Sequence, residues 1–409
     1  MIASEKEYKR SGIEWIPEIP ENWEIIRIKN LFKEIDIRSE FGEEDLLSVS
    51  QYSGVTLKRD NLENDTDEIT NAATLAGYKK VSKGDLIINI MLAWNGSLGI
   101  SKYDGITSPA YCVYRCLNGN NPEYFGYLFS TNLYKTEFRK NSTGIIESRL
   151  RLYSDNFFEM FSFVPPKEEQ DKIVNQIKLQ SEKINRFIEK KQRFIELLKE
   201  QRQSIINHAI TKGINPHVKM KDSGIEWLGD VPEHWEVRRL KKVCILQRGY
   251  DLPKELFVDG DYPVYGSNGI IGYHNEFTTK APCITVGRSG SVGEVNYIFQ
   301  DFWAHNTCLY VKESYNNNWD YLYGLLSSID IKMLSNGSAV PTLDRKNVHA
   351  LFVSYPSIEE QKQIVEHFKD ETKIIDTTIS KTEREIELMK EYKEAMIAEA
   401  VVGKYQKIN

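Results

Sequence analysis

The sequence predicts an α+β protein. Two mixed α/β domains are separated by two long helices that pair as an antiparallel coiled coil, and the whole is a pseudo-two-fold tandem duplication. Three observations predict this. From Lys167 to Lys212, apolar residues recur in steps of three and four, the mark of a coiled-coil seam. A second copy of that helix, from Ile358 to about Val402, follows at a constant offset of 191. A stretch around Ser11-Gly12-Ile13-Glu14-Trp15 returns around Ser223-Gly224-Ile225-Glu226-Trp227 at an offset of 212.

The first helix has its seam at Ile173, Ile177, Ile184, Phe187, Phe194, Leu198 and Ile205. A second stripe (Val174, Ile188, Ile195, Ala209) widens the apolar face enough for more than one neighbour. Pro165-Pro166 block helix before it, and Gly213 with Asn215-Pro216 is a stop signal. At about 1.5 Å per residue it spans on the order of 70 Å. A globular domain does not need that length, whereas a spacer between domains does. In the second copy, Glu359-Glu360-Gln361 matches Glu168-Glu169-Gln170 and Glu387-Leu388-Met389-Lys390-Glu391 matches Glu196-Leu197-Leu198-Lys199-Glu200. Its seam is Ile364, Phe368, Ile375, Met389 and Met396. Thr378, Thr382 and Glu385 break the pattern, so this copy makes the weaker coil.

The 409 residues suffice for two or three domains. An apolar share of 41% and a charged share of 27% are ordinary for a soluble globular protein. No apolar run approaches the roughly 20 residues that cross a bilayer. Residues 1–10 are too polar for a signal peptide. The five cysteines (Cys112, Cys116, Cys244, Cys283, Cys308) lack metal-ligand spacing and read as reduced thiols of a cytoplasmic protein. Net charge is −6, with 14 Lys/Arg against 18 Asp/Glu in residues 30–164 and 9 against 11 in residues 242–356. A simple nucleic-acid binder is normally basic. Any DNA affinity must therefore come from local patches or from a partner.

The repeats set the boundaries. Residues 1–29 form a first strap, 30–164 a first variable domain and 165–213 the central helix. Residues 214–241 form a second strap, 242–356 a second variable domain and 357–409 the C-terminal helix. Trp15 and Trp23, and Trp227 and Trp235, recur at one spacing and are expected to pin each strap onto a domain. Short β-rich runs such as Leu86-Ile87-Ile88-Asn89-Ile90 and Cys283-Ile284-Thr285-Val286 alternate with glycine turns. Helices are expected over Pro122 to about Phe138 and over Trp319 to Leu334.

No catalytic constellation is found. There is no tetrapeptide for amino-methyl transfer and no glycine loop for a methyl donor. Gly287-Arg288-Ser289-Gly290-Ser291-Val292-Gly293 lacks the Walker spacing and its Lys. No metal motif is present. The chain reads as a recogniser. Two different domains on one repeated frame suit a ligand with paired half-sites, and a DNA duplex is one. Candidate contacts are polar and basic residues beside glycine turns, where backbone approaches a ligand closely. In the first domain these are Trp94, Asn95, Ser97, Arg149 and Arg151. In the second they are Tyr265, Ser267, Asn268, Arg288, Ser289, His305, Asn306, Ser338, Arg345 and Lys346. Arg suits guanine and Asn suits adenine.

These features together resemble the specificity subunit of type I restriction-modification systems. The resemblance spans essentially the whole chain. It rests on Ser-Gly-Ile-Glu-Trp followed by Pro-Glu-x-Trp-Glu in both halves, and on Pro165-Pro166-Lys167-Glu168-Glu169-Gln170 with its echo Pro356-Ser357-Ile358-Glu359-Glu360-Gln361. It rests also on Tyr262-Pro263-Val264-Tyr265-Gly266-Ser267-Asn268-Gly269 and Gly337-Ser338-Ala339-Val340-Pro341-Thr342-Leu343. The first domain departs from the last pattern, since Ser142-Thr143-Gly144 continues as Ile145-Ile146. The resemblance implies two target recognition domains, each reading half of a bipartite double-stranded DNA site, with the helix pair fixing the spacer. It implies two methyltransferase subunits docked on the helices and restriction subunits beyond them. It implies that S-adenosylmethionine, ATP and Mg reside on those partners, with no cofactor or metal on this non-catalytic chain. The alternative is a coiled-coil assembly scaffold that binds proteins and not DNA.

Overall fold

The computed structural model describes residues 7–51, 53–58, 74–146, 149–336 and 341–404. It divides into two compact units, Met1–Lys190 with Glu385–Asn409, and Lys191–Arg384. Each long helix, α4 (Lys167–Lys212) and α7 (Ile358–Val401), therefore contributes to both units.

In unit 1 the core is a four-stranded antiparallel sheet of β1 (Phe32–Glu34), β2 (Leu86–Asn89), β3 (Leu98–Ile100) and β4 (Tyr111–Cys116), in the order β1-β4-β2-β3. Strand side chains alternate between faces, and here both faces are covered. Leu86, Ile88 and Tyr114 pack against α1 (Pro122–Phe129) and α2 (Asn132–Lys140). Ile87 and Val113 pack against the hairpin of Leu47–Ser50 with Gly54–Leu57. Covered faces explain why β2 opens with an unbroken apolar run, Leu86-Ile87-Ile88. The single helix expected over Pro122–Phe138 is broken at Ser130-Thr131. Thr131 is extended and its hydroxyl accepts from the Tyr134 N–H, which starts α2 as a new helix.

Unit 2 repeats the plan with β5 (Ile245–Arg248), β6 (Cys283–Gly287), β7 (Val295–Ile298) and β8 (Cys308–Glu313), in the order β5-β8-β6-β7. The helix expected to reach Leu334 ends as α5 (Trp319–Ser328), and a 3-10 turn over Ile331–Leu334 follows. Short helices α3 (Ser154–Glu159) and α6 (Arg345–Ala350) occupy matching places in the two units. After each, a strand (Phe161–Val164 or Phe352–Tyr355) pairs antiparallel with the strand that follows the strap (Glu24–Arg27 or Glu236–Arg239).

The Glu-Glu-Gln repeat has a structural reason. Gln170 is fully buried, and its Nε2 donates to Asn120 Oδ1 and to the Pro165 carbonyl, each at 2.8 Å. Its Oε1 accepts from the Asn121 N–H at 2.8 Å. Gln361 does the same with Asn317 Oδ1, the Pro356 carbonyl and the Asn318 N–H. Each clamp ties the start of a long helix to the N-terminus of α1 or α5.

Helix ends are docked as well. Gly213 and Gly403 end α4 and α7 in left-handed backbone, at φ +78° and +77°, a conformation glycine adopts without strain. A Cβ on Gly213 would meet the Trp235 ring at 3.3 Å, and one on Gly403 would meet Pro20 at 2.7 Å and Trp23 at 3.1 Å. Trp23 and Trp235 are fully buried and pin the straps as expected. Trp15 is half-buried, edge-on to Tyr134 at 5.3 Å. Trp227 is 43% exposed and pins nothing deeply.

The helices pair antiparallel in each unit. In unit 1, Ile177 and Ile184 share a core with Met396 and Ala400, and Lys393 Nζ donates to Asn185 Oδ1 at 2.9 Å. In unit 2, Ile206, Ala209 and Ile210 pack with Ile364 and Phe368, and Arg202 pairs with Asp376 at 2.7 Å. The seam has a different phase from the sequence expectation. Buried or half-buried positions on α4 run Val174, Ile177, Ser181, Ile184, Ile188, Lys191, Ile195, Leu198 and Arg202, in alternate steps of three and four. Phe187 and Phe194 lie on the outer face, 39% and 41% exposed. On α7 the stripe includes the buried Thr372, Ile375, Thr382, Ile386 and Met396 and the half-buried Met389, so Thr382 belongs to the seam, while Glu385 is exposed and outside it.

Candidate nucleic-acid interface

Unit 2 gathers most of its expected residues at the ends of β6 and β8. After Gly287 the chain leaves β6, and the Arg288 and Ser289 N–H groups both donate to the Thr307 carbonyl, at 2.8 and 3.2 Å. Arg288 Nη1 reaches the Asn306 carbonyl at 3.4 Å. The His305 N–H donates to the Tyr265 carbonyl at 2.9 Å, and its Nδ1 lies 2.8 Å from Thr307 Oγ1. Gly287 must be glycine, because a Cβ there would collide with the Ser291 carbonyl and would sit 2.6 Å from the Ser267 carbonyl. Ser267, Arg288, Ser289, His305 and Asn306 thus share one edge, with Asn268 exposed at the turn beyond Ser267.

The other four candidates are Tyr265, Arg345, Lys346 and Ser338. The Tyr265 ring packs edge-on to Phe302 at 5.5 Å against the core, so only its backbone serves the edge. Arg345 and Lys346 are exposed on the first turn of α6, just after Leu343, whose N–H donates to the Arg288 carbonyl at 2.8 Å. Ser338 lies outside the described residues. Burial pushes the His305 imidazole below its usual value, which favours the neutral ring.

In unit 1 the matching turn is a 3-10 turn over Ala93–Asn95, between β2 and β3. Trp94 Nε1 donates to the Met91 carbonyl at 3.1 Å, and the Arg139 guanidinium stacks over its ring at 5.7 Å. Asn95 is exposed. Ser97 is not a contact residue, because it is 2% exposed and its hydroxyl donates to the Val49 carbonyl at 3.1 Å inside the unit. Thr143 and Arg151 pair across a loop that carries the exposed Arg149 and the exposed Ile145 and Ile146. Arg151 Nη1 donates to the Leu150 carbonyl at 2.8 Å. Leu152 closes this loop by donating its N–H to the Ile90 carbonyl at 3.0 Å, as Leu343 does to Arg288. The two candidate edges are therefore topological equivalents.

Sequence reasoning missed four residues here. Lys135, whose stem lies against Gly96, and Arg139 come from α2 and add positive charge beside Trp94. Arg248 ends β5 and Asp251 follows it, and Arg248 Nη2 donates to Asp251 Oδ1 at 3.1 Å while Asn306 Nδ2 donates to the same oxygen. None has a local sequence signal, since only the packing of α2 and the strand order of the sheet bring them to the edges. Among the described residues no group of three His, Cys, Asp or Glu side chains could hold a metal. Burial pushes the Cys244, Cys283 and Cys308 thiols up to about 12, which makes them unreactive at neutral pH.

Residues 232–388 match the family model of the type I restriction modification DNA specificity domain. The chain resembles type I restriction-modification specificity subunits. A type I restriction enzyme specificity subunit, MjaVIII, of Methanocaldococcus jannaschii is 28% identical over 240 residues, which are 56% of this chain and 51% of that protein. A putative type I specificity subunit of Mycoplasma pneumoniae, S.MpnORF507P, is 29% identical over 138 residues, 32% of this chain and 38% of that one. The chain thus spans about half the length of such specificity-subunit relatives, or less. A solved structure bearing on complex assembly and conformational transition of the type I R-M system has the same fold, with a TM-score of 0.62 and 14% identity over 95% of this chain and 99% of that one. No helix among the described residues is long and apolar enough to cross a membrane.

Proposed function

We propose that this chain is a type I specificity subunit, that it reads a bipartite DNA site, one half by each unit, and that it supplies no catalytic group. The observation that carries the reading is the equivalence of the two edges. In each unit the turn after the central strand is fixed by one backbone hydrogen bond from Leu152 or Leu343, while the side chains it carries differ, Trp94 and Asn95 in one and Arg288 and Ser289 in the other. Equal frames with unequal side chains suit two different half-sites. Arg, Asn, His and Ser beside glycine turns provide donors and acceptors for base edges. Lys135, Arg139, Arg149 and Arg248 provide the local positive charge that a chain of net charge −6 needs for phosphate.

The paired helices set the unread spacer in this proposal. Their outer faces dock two methyltransferase subunits through side chains such as Phe187, Phe194 and Leu197, and the restriction subunits join through these. S-adenosylmethionine, ATP and Mg belong to the partners. The test is to co-express the chain with a type I methyltransferase subunit in a methylation-free host and to map modified adenines across the genome. One bipartite motif with a fixed gap supports the reading. An assembled complex that methylates no site favours the protein-binding scaffold.

A further inference from the structure

The edge of unit 2 holds an acid where phosphate contact calls for base. Asp251 is exposed, and its carboxylate accepts from Arg248 Nη2 at 3.1 Å and from Asn306 Nδ2. The segment carrying it is laced to the Asn306 loop. The Tyr250 N–H donates to the Ala304 carbonyl at 2.7 Å, and a Cβ on Gly249 would collide with the Ala304 and His305 carbonyls. An ionised carboxylate only accepts hydrogen bonds. Asn306 must therefore turn its nitrogen, and not its oxygen, toward Asp251, so the amide orientation follows from chemistry and not from atom assignment. Arg288 Nη1 on the Asn306 carbonyl steadies the same loop. Among the described residues, no partner takes the Asn306 Oδ1 or its second N–H. That acceptor and donor match the N6 amino group and N7 of adenine in the major groove.

We infer that Asp251 is a positioning residue, which holds the Asn306 carboxamide so that it reads one adenine in the half-site of unit 2. The inference rests on the proposed DNA-reading function and adds to it the base and the pair of side chains. Without Asp251 the amide is free to flip. A flipped amide presents its donor and acceptor in reversed order, which adenine cannot match. Arg248, as the second donor on the carboxylate, holds Asp251 in place.

The test maps methylated adenines for the complex of the full chain with its methyltransferase, for wild type, Asn306→Ala, Asp251→Ala, Asp251→Asn and the Asp251→Ala/Asn306→Ala double variant. A good bidentate contact discriminates roughly 5- to 150-fold against the wrong base. Asn306→Ala is expected to lose about that preference at one A·T pair of one half-site. Asp251→Ala loosens the same pair, and the double variant is no looser than Asn306→Ala alone. Asp251→Asn, which keeps an acceptor oxygen for the Asn306 amide, stays closer to wild type than Asp251→Ala. Melting of the complexes checks that each variant is folded. An unchanged motif in Asp251→Ala, or additive losses in the double variant, overturns the inference while leaving the bipartite reading standing. A wild-type complex that methylates no bipartite motif overturns the reading itself, and the inference with it.

Discussion

His349 shows how one side chain can carry a pH dependence. Its Nε2 accepts the Leu246 N–H at 2.9 Å, which only the neutral ring can do. Burial, and then Arg345 and Lys241, hold its pKa below the ordinary value. In the unfolded chain the ring protonates near pH 6.5, and in the folded chain it does so lower. As the pH falls through about 6.5 the unfolded state gains the proton first, so stability falls until the folded value is passed. Melting temperature should drop over that window in wild type, and this part of the drop should vanish in His349→Gln. At the same scale, the fully buried Gln170 satisfies three partners, the buried Pro165 carbonyl and the half-buried Asn120 and Asn121. Gln170→Leu orphans them and should cost on the order of 3 kcal/mol in urea unfolding, since a buried group without a partner costs about 1–3 kcal/mol. A loss below about 1 kcal/mol would show that the clamp is incidental.

At the scale of the element, the two faces of α4 have separable roles. Ile184 is 5% exposed within the unit 1 core, and Ile184→Ala should cost about 2–5 kcal/mol by leaving a cavity. Phe187 and Phe194 point outward, and replacing both by Ala should cost less than about 1 kcal/mol yet reduce co-purification of the methyltransferase. Equal thermal losses for the two changes would contradict the seam found here. The existence and ends of both long helices were legible in the sequence, because Pro165-Pro166, Gly213 and the apolar period are local signals. The phase was not. Steps of three and four fit the stripe through Phe187 as well as the one through Ile188, and only the partner helix chooses between them. The break at Thr131 was missed for a related reason, since a threonine inside an apolar pattern shows its capping role only once its hydroxyl meets the Tyr134 N–H.

For the whole molecule, the duplication was the most legible feature. Offsets of 191 and 212 led to the expected straps, domains and helices, and the two long helices lie at Lys167–Lys212 and Ile358–Val401. What they could not show is how the ends are shared. In unit 1 the strap is held by the end of α7, where Tyr8 Oη donates to the Gly403 carbonyl at 3.1 Å and Tyr124 Oη to the Val401 carbonyl at 3.0 Å. The candidate edges were half legible. Arg288, Ser289, His305 and Asn306 were found because glycine turns mark them. Lys135, Arg139, Arg248 and Asp251 were not, since helix packing delivers the first two and sheet order the others. Ser97 was misread because a serine beside a turn is as well suited to an internal hydrogen bond as to a ligand.

The central claim is that the two units read separate halves of one site. The most direct measurement replaces residues 30–164 with the matching stretch of a type I specificity subunit, and maps the adenines methylated by the chimaeric complex. The account predicts a motif in which one half-site changes while the other half-site and the gap stay as in wild type. A motif that changes in both halves would contradict it.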